Sequence, residues 1–213
     1  MKRSLVLAVA IAAFAGIAQA QPYPNRPIKF IAPFPPGGSS DVLCRLLGAK
    51  LAEALGQPVT VENRPGAAAS IGHEYAAKQP PDGYTIVITS SSTLVNNLYL
   101  YKHQPFDPFT DFAPISMIAS SGQVLVVHPS VPAKSVRELI ALAKAQPGKL
   151  SYASVSVGSA SHLTMEMLKS AAHIDIVHVP YKGSQAAVVD VLGGQVQAGF
   201  FVPGNVMQFM QQG

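Results

Sequence analysis

Short apolar runs alternating with amphipathic helical stretches, twice over, constrain this chain more than any other feature. In the first half, "IKFIA" (28–32), "VTV" (59–61) and "YTIVIT" (84–89) read as buried strands. Between them "DVLCRLLGAKLAEAL" (41–55) reads as a helix, with Val42, Leu43, Leu46, Leu47, Leu51, Ala54 and Leu55 on one broad face. Gly56 stands where a helix often ends in the left-handed conformation, and Pro58 prevents its resumption. A longer loop (101–114) and two apolar runs, "ISMIA" (115–119) and "VLVVH" (124–128), precede a second alternation. There "SVRELIALAKA" (135–145), opened by the capping box Ser135/Glu138, "HLTMEMLKSAA" (162–172) and "QAAVVDVL" (185–192) read as helices. "LSYAS" (150–154), "IVHVP" (176–180) and "QAGFF" (197–201) read as strands. This order predicts α/β halves built on parallel sheets, joined near residues 115–125.

The first twenty residues predict export. Lys2 and Arg3 precede an apolar stretch from Leu5 to Ile17, and Ala18-Gln19-Ala20 is a small-residue cleavage site. The segment reads as a signal peptide cut after Ala20, leaving an exported protein. Two of the 15 Lys and Arg residues lie in it, so the remainder, set against 11 acidic residues, is only mildly basic. No basic run exists to bind nucleic acid. The lone cysteine, Cys44, rules out an intrachain disulfide and reads as buried and inert.

The most distinctive loop is "PFPPGGSSD" (33–41), which joins the first strand to the first helix. It carries no lysine for a Walker-type phosphate cradle and lacks the G-x-G-x-x-G spacing of a dinucleotide site. A hydrolase elbow, G-x-S-x-G, is absent, and Ser161 beside His162 at a helix start does not face it as nucleophile faces base. The six histidines form no H-x-x-x-H pair and no carboxylate cluster completes a ligand set, so no metal and no cofactor is expected.

What remains is anion binding at a helix start, where unpaired N–H groups and the helix dipole favour a carboxylate without needing a cation. Gly37-Gly38 bares the backbone, and Ser39 and Ser40 offer hydroxyls. Three further loops repeat the composition after strands: "TSSST" (89–93), "SVSVGSASH" (154–162) and "YKGSQ" (181–185). Such loops fall at the carboxyl ends of the sheets, where open α/β folds bind ligands. Asp41 cannot meet an anion directly without repulsion; it is expected to favour the helix dipole and orient neighbouring N–H groups.

The ordered string "YPNRPIKFIAPFPPGGSSD", "VENRPGAAASIG", "PDGYT", "DFAPI", "HPSVPAKSVRELI", "GSASHL", "HVPYKG" and "LLGGQV" resembles the Bug-type periplasmic solute-binding proteins, receptors of tripartite tricarboxylate transporters. The resemblance covers the whole chain beyond the leader. It implies a two-lobed Venus-flytrap fold of the type II periplasmic binding protein kind. It places a first α/β lobe in 21–120 and a second in 121–213. It implies a periplasmic monomer that holds a small carboxylate between its lobes and delivers it to a two-subunit membrane permease, with no catalysis. Ligand contacts carried over by the resemblance are Phe34, Gly38, Ser39, Ser40 and Asp41, then Thr89, Ser90 and Ser91. In the second lobe they are Ser156, Gly158, Ser159, Ser161 and His162, with Tyr181, Lys182 and Gly183 matching more loosely.

Two departures stand out. Where the family usually reads "PGAGGNIG", this chain has "PGAAASIG" (65–72), and Gln197 stands where an acidic residue is common. Family members also continue beyond residue 213, so the chain reads as a C-terminally truncated fragment whose first lobe lacks a return segment and exposes apolar surface. A receptor serving a membrane sensor and a secreted serine hydrolase remain as alternatives.

Overall fold

The computed structural model describes residues 22–211; the predicted leader and its cleavage site lie outside them. Two sheets organise the chain. In the first, β1 (Ile28–Ala32) runs between β2 (Val59–Asn63) and β3 (Thr85–Val87), both parallel to it. Central placement explains why β1 reads as an unbroken apolar run: Ile28, Phe30, Ile31 and Ala32 are all buried.

Helix α1 (Ser39–Leu55) covers this sheet and ends at Gly56, which is left-handed as expected. The buried stripe is narrower than the sequence suggests. Asp41, Cys44 and Gly48 face inward with Leu43 and Leu47 beside them, whereas Val42 and Leu46 are 47% and 62% exposed. Gly48 permits the close approach: a Cβ there would stand 3.3 Å from Val59. A short helix α2 (Ser70–Ala77) completes the crossover from β2 to β3. After β3 the chain makes a π-helical turn (Ser92–Asn96) continuing into α3 (Asn97–Leu100). This serine- and asparagine-rich stretch carries no clear apolar period.

Residues 101–123 cross to the second sheet. Phe106 is buried against His73, and Phe112 meets both rings edge-on. The apolar run 115–119 forms no strand; Ile115 and Met117 are 81% and 83% exposed.

The second sheet has the order β4-β7-β5-β6, from β4 (Val124–Val127), β5 (Ser151–Ser154), β6 (Val177–Pro180) and β7 (Ala198–Phe201). β5, β6 and β7 are parallel, but β4 pairs antiparallel with β7, correcting the all-parallel expectation. β4 arrives from the other lobe rather than through a helical crossover, so nothing imposes a parallel direction on it. Helices α4 (Val136–Ala145), α5 (Ala160–Ala172) and α6 (Ser184–Leu192) flank this sheet. Tyr152, Leu139, Met165 and Ile176 anchor one side of its core; Val188, Val191 and Phe201 anchor the other. The Ser135 hydroxyl accepts from Glu138 N–H, as the capping box predicts. A 3-10 turn (Pro203–Asn205) and α7 (Met207–Met210) follow β7.

Candidate functional site

The Pro/Gly loop is fixed from beneath by one buried carboxylate. Asp41 Oδ2 accepts from the Gly37 backbone N–H at 3.0 Å and from Arg45 Nε at 3.0 Å. Its Oδ1 accepts from Arg45 Nη2 and from Asn63 Nδ2, both at 2.9 Å. Asn63, at the end of β2, also donates to the Phe34 carbonyl at 3.1 Å. Turn, helix start and neighbouring strand are therefore tied through Asp41. The Arg45 hydrogen bonds outweigh the cost of burial and, with those from Gly37 and Asn63, hold its pKa down to about 2.

Above this base lies a cavity of about 270 Å³ between the two lobes. Phe34, Pro35, Pro36, Gly38, Ser39 and Ser40 line it from the first lobe. Gln123 lines it from the end of the crossover, and its buried Oε1 has no hydrogen-bond partner among the described residues. Val155, Lys182 to Ala186, Phe200 to Val202 and Asn205 line it from the second lobe. Most of these residues sit just past the carboxyl ends of β1, β5, β6 and β7.

Two helix starts meet here. Gly38 is the N-cap of α1 and Gly183 that of α6, and neither end receives a side-chain cap. Both therefore present unpaired N–H groups and the positive end of a helix dipole. Among the described residues, Lys182 is the one formally charged residue in the lining. The lobes touch directly at the rim, where Gln185 Nε2 donates to the Gly37 carbonyl at 2.7 Å. A Cβ on Gly38 would lie 3.4 Å from Ser184 Oγ, so glycine keeps this approach open. A second groove of about 210 Å³, between β4, α6 and α7, is lined by apolar side chains apart from His128. It lacks converging polar groups.

The sequence-predicted residues divide sharply. Phe34, Gly38, Ser39, Ser40, Lys182 and Gly183 line the cavity together. Asp41 lies beneath it, and Tyr181 turns away, donating to Asp190 at 2.5 Å. Thr89, Ser90 and Ser91 lie outside the lining: Thr89 Oγ1 bonds His73 Nε2 at 2.8 Å, and Ser90 meets Thr93 at 3.2 Å.

The "GSASH" loop is spent internally. Ser159 caps α5 by accepting from His162 N–H and donates to the Ser156 carbonyl at 2.7 Å. Ser161, fully buried, accepts from Val155 N–H at 3.1 Å and stands 2.9 Å from Ser159 Oγ. A hydroxyl so placed has no path to a substrate carbonyl, and His162 Nδ1 is occupied by Gly158 N–H at 3.1 Å.

Ser184 and Gln185, in the "YKGSQ" loop expected at a sheet's carboxyl end, also line the cavity. Sequence reasoning missed Gln123, Ala186, Phe200, Phe201, Val202 and Asn205. The rule that found the other loops, polar residues just after a strand, also points to "VPGN" after β7 and so to Asn205. The lining role of Gln123 depends on where the crossover meets the lobes, which has no local signal.

Both sequence departures have a structural counterpart. Ala67, Ala68 and Ala69 adopt φ of 46°, 50° and 75°, a left-handed run that suits glycine. Gln197 Oε1 accepts from Ser151 N–H and Oγ at 2.9 and 3.0 Å, tying the approach to β7 onto β5.

Comparison with known proteins agrees with this architecture. Residues 43–213 match the model of the tripartite tricarboxylate transporter family receptor. Protein BugT of Bordetella pertussis is 44% identical over 202 residues, covering 93% of this chain and 62% of that protein. Among solved structures, R. palustris Rpa4515 with adipate superposes with a TM-score of 0.87 at 34% identity, covering 90% of this chain and 64% of that one. The periplasmic binding protein BugD gives 0.82 at 33% identity, covering 89% and 63%. The chain thus spans less than two thirds of the length of each of these relatives.

Proposed function

The chain belongs to the tripartite tricarboxylate transporter receptor family, and from that premise we propose that it captures a small carboxylate between its lobes for uptake. In this reading the leader directs export and is cut after Ala20. The lobes, 21–120 and 121–213, turn against each other about the crossover near 115–125. The loaded monomer then docks on a two-subunit membrane permease.

The observation that carries the reading is the meeting of two uncapped helix starts, α1 and α6, on one cavity. N–H groups at Ser39, Ser40, Ser184 and Gln185, the adjoining hydroxyls and Lys182 supply donors and positive potential. Among the described residues, no carboxylate stands in the lining to repel an anion. Phe34, Phe200 and Val202 provide an apolar wall for the ligand's carbon chain. The adipate bound in Rpa4515, a dicarboxylate with an apolar middle, has the chemistry such a lining favours.

A thermal-shift panel of mono-, di- and tricarboxylates, amino acids and aromatic acids tests the proposal. A ligand held at a hundredfold excess over its Kd should stabilise the chain by about 2.7 kcal/mol. At least one carboxylate should shift the melt while its neutral amide does not. A panel without any carboxylate-dependent shift would overturn the reading.

A further inference from the structure

A second contact between the lobes lies outside the cavity lining, at Gly158. Its carbonyl accepts from Asn96 Nδ2 of the first lobe at 3.1 Å. Its φ of 77° turns the loop so tightly against the first lobe that an added Cβ would stand 2.6 Å from Leu100 Cδ1 and 3.6 Å from Asn97 Oδ1. The Gly158 N–H, in turn, donates to His162 Nδ1 at 3.1 Å. One peptide unit on each side of Gly158 thus couples the imidazole of His162 to a contact across the lobes.

That imidazole has a particular setting. Its ring stacks on His178 at 4.2 Å and 21°, and His178 stacks on Tyr152 at 4.8 Å and 18°. His178 Nε2 meets Ser154 Oγ at 2.7 Å. His162 is also the third residue of α5, where the helix dipole opposes added positive charge.

We propose that His162 is the positioning residue for the lobe contact at Gly158, and that it serves only as a neutral imidazole. A protonated ring carries hydrogen on both nitrogens, so Nδ1 would confront the Gly158 N–H as donor against donor. The loop must then move, and the Asn96 hydrogen bond moves with it. Protonation would also place charge against a second stacked imidazole.

The charged and titratable neighbours are few. Glu166 and Lys169 face the pair from α5, His178 from β6 and Tyr152 from β5. Glu166 Oε1 already accepts from Lys169 at 2.7 Å and from Tyr152 at 2.6 Å, so its charge is largely engaged. The first lobe faces Gly158 with Asn96, Asn97 and Leu100, none of which titrates. Burial, and then the Lys169 charge, hold His162 below the ordinary histidine value, while Glu166 pulls the other way.

The test is amide exchange of the 213-residue chain between pH 7.5 and 5, corrected for intrinsic rates, with the His162 ring followed by NMR. Protection at 155–162 and at 94–101 should fall together by roughly tenfold as His162 takes up its proton. His162→Asn retains an acceptor oxygen near the Nδ1 position and does not titrate. It should keep both segments protected across the range. Asn96→Ala should leave the 155–162 response intact while removing that of 94–101. If His162→Asn shows the same pH-dependent loss as the native chain, the proposal is wrong. It is equally wrong if the His162 ring titrates while exchange in the two segments stays unchanged.

Discussion

The Asp41 carboxylate accepts the backbone N–H of Gly37 at 3.0 Å, so the turn that precedes α1 is held by a residue inside the helix it introduces. The same carboxylate is 3% exposed and meets Arg45 and Asn63. An Asp41→Asn substitution removes the charge and half of the acceptor capacity. It should therefore cost about 2 kcal/mol at neutral pH by urea unfolding. Because the folded pKa lies below the unfolded one, this contribution is complete above the ordinary value of 3.8 and fades as pH falls toward about 2. The stability curves of the native chain and of the Asp41→Asn variant should converge in that window. A constant gap would show that Asp41 acts through packing alone.

His73 gives a second acid dependence at higher pH. It is fully buried, with Nδ1 on the Ala69 carbonyl at 2.9 Å and Nε2 on Thr89 Oγ1 at 2.8 Å. Burial holds its pKa below the ordinary histidine value. The unfolded chain thus binds the proton more readily, and stability should fall as pH drops below about 6.5. His73→Gln should flatten the slope of stability against pH in that range by up to one proton. An unaltered slope would assign the acid sensitivity elsewhere.

The left-handed alanines predict an inexpensive improvement. Ala68 has φ 50° and ψ 45°, a region costing an L-residue about 1 kcal/mol or more. Ala68→Gly relieves that cost but loosens the unfolded chain, for a net gain of about 0.5 kcal/mol. Ala68→Val should lose more than about 1 kcal/mol, since a β-branched side chain fits the region worst. Equal midpoints for all three proteins would mean that the turn is not held as described.

Cys44 should be chemically silent. Burial, with the nearby Asp41 charge, pushes its thiol up to about 12, and the residue is fully enclosed under α1. Iodoacetamide should label it only in denaturant. Rapid labelling of the native chain would show that α1 detaches from its sheet.

Much of this architecture was legible because it is local. "IKFIA" announced a strand buried on both faces, and Ser135 with Glu138 announced the start of α4, since each signal lies within a few residues. The buried width of α1 was overestimated because Val42 and Leu46 share its apolar arc yet stay largely exposed. The antiparallel β4 could not be read locally, because its direction follows from where the crossover enters the second sheet. The site divided in the same way. Ser39 and Ser40 follow from glycines before a helix start, and Ser184 and Gln185 from the polar loop after β6, whereas Gln123 is a lining residue only because the crossover ends beside the cavity. The hydroxyls of Ser159 and Ser161 read as open donors, yet the loop folds inward and consumes them.

If charge on the ligand, met by the two helix starts, drives capture in the cavity, a neutral ligand of the same shape should fail. Calorimetric titration of the chain with the carboxylate that shifts the melt most and with its neutral amide, repeated on Ser40→Ala, separates the two cases. The carboxylate should bind and the amide should show no detectable binding. Ser40→Ala should weaken binding of the carboxylate by about 1 kcal/mol, the loss of one neutral hydrogen bond, and unchanged affinity would remove the Ser40 hydroxyl from the site. Equal affinity for the acid and the amide would show that the helix starts do not hold the ligand.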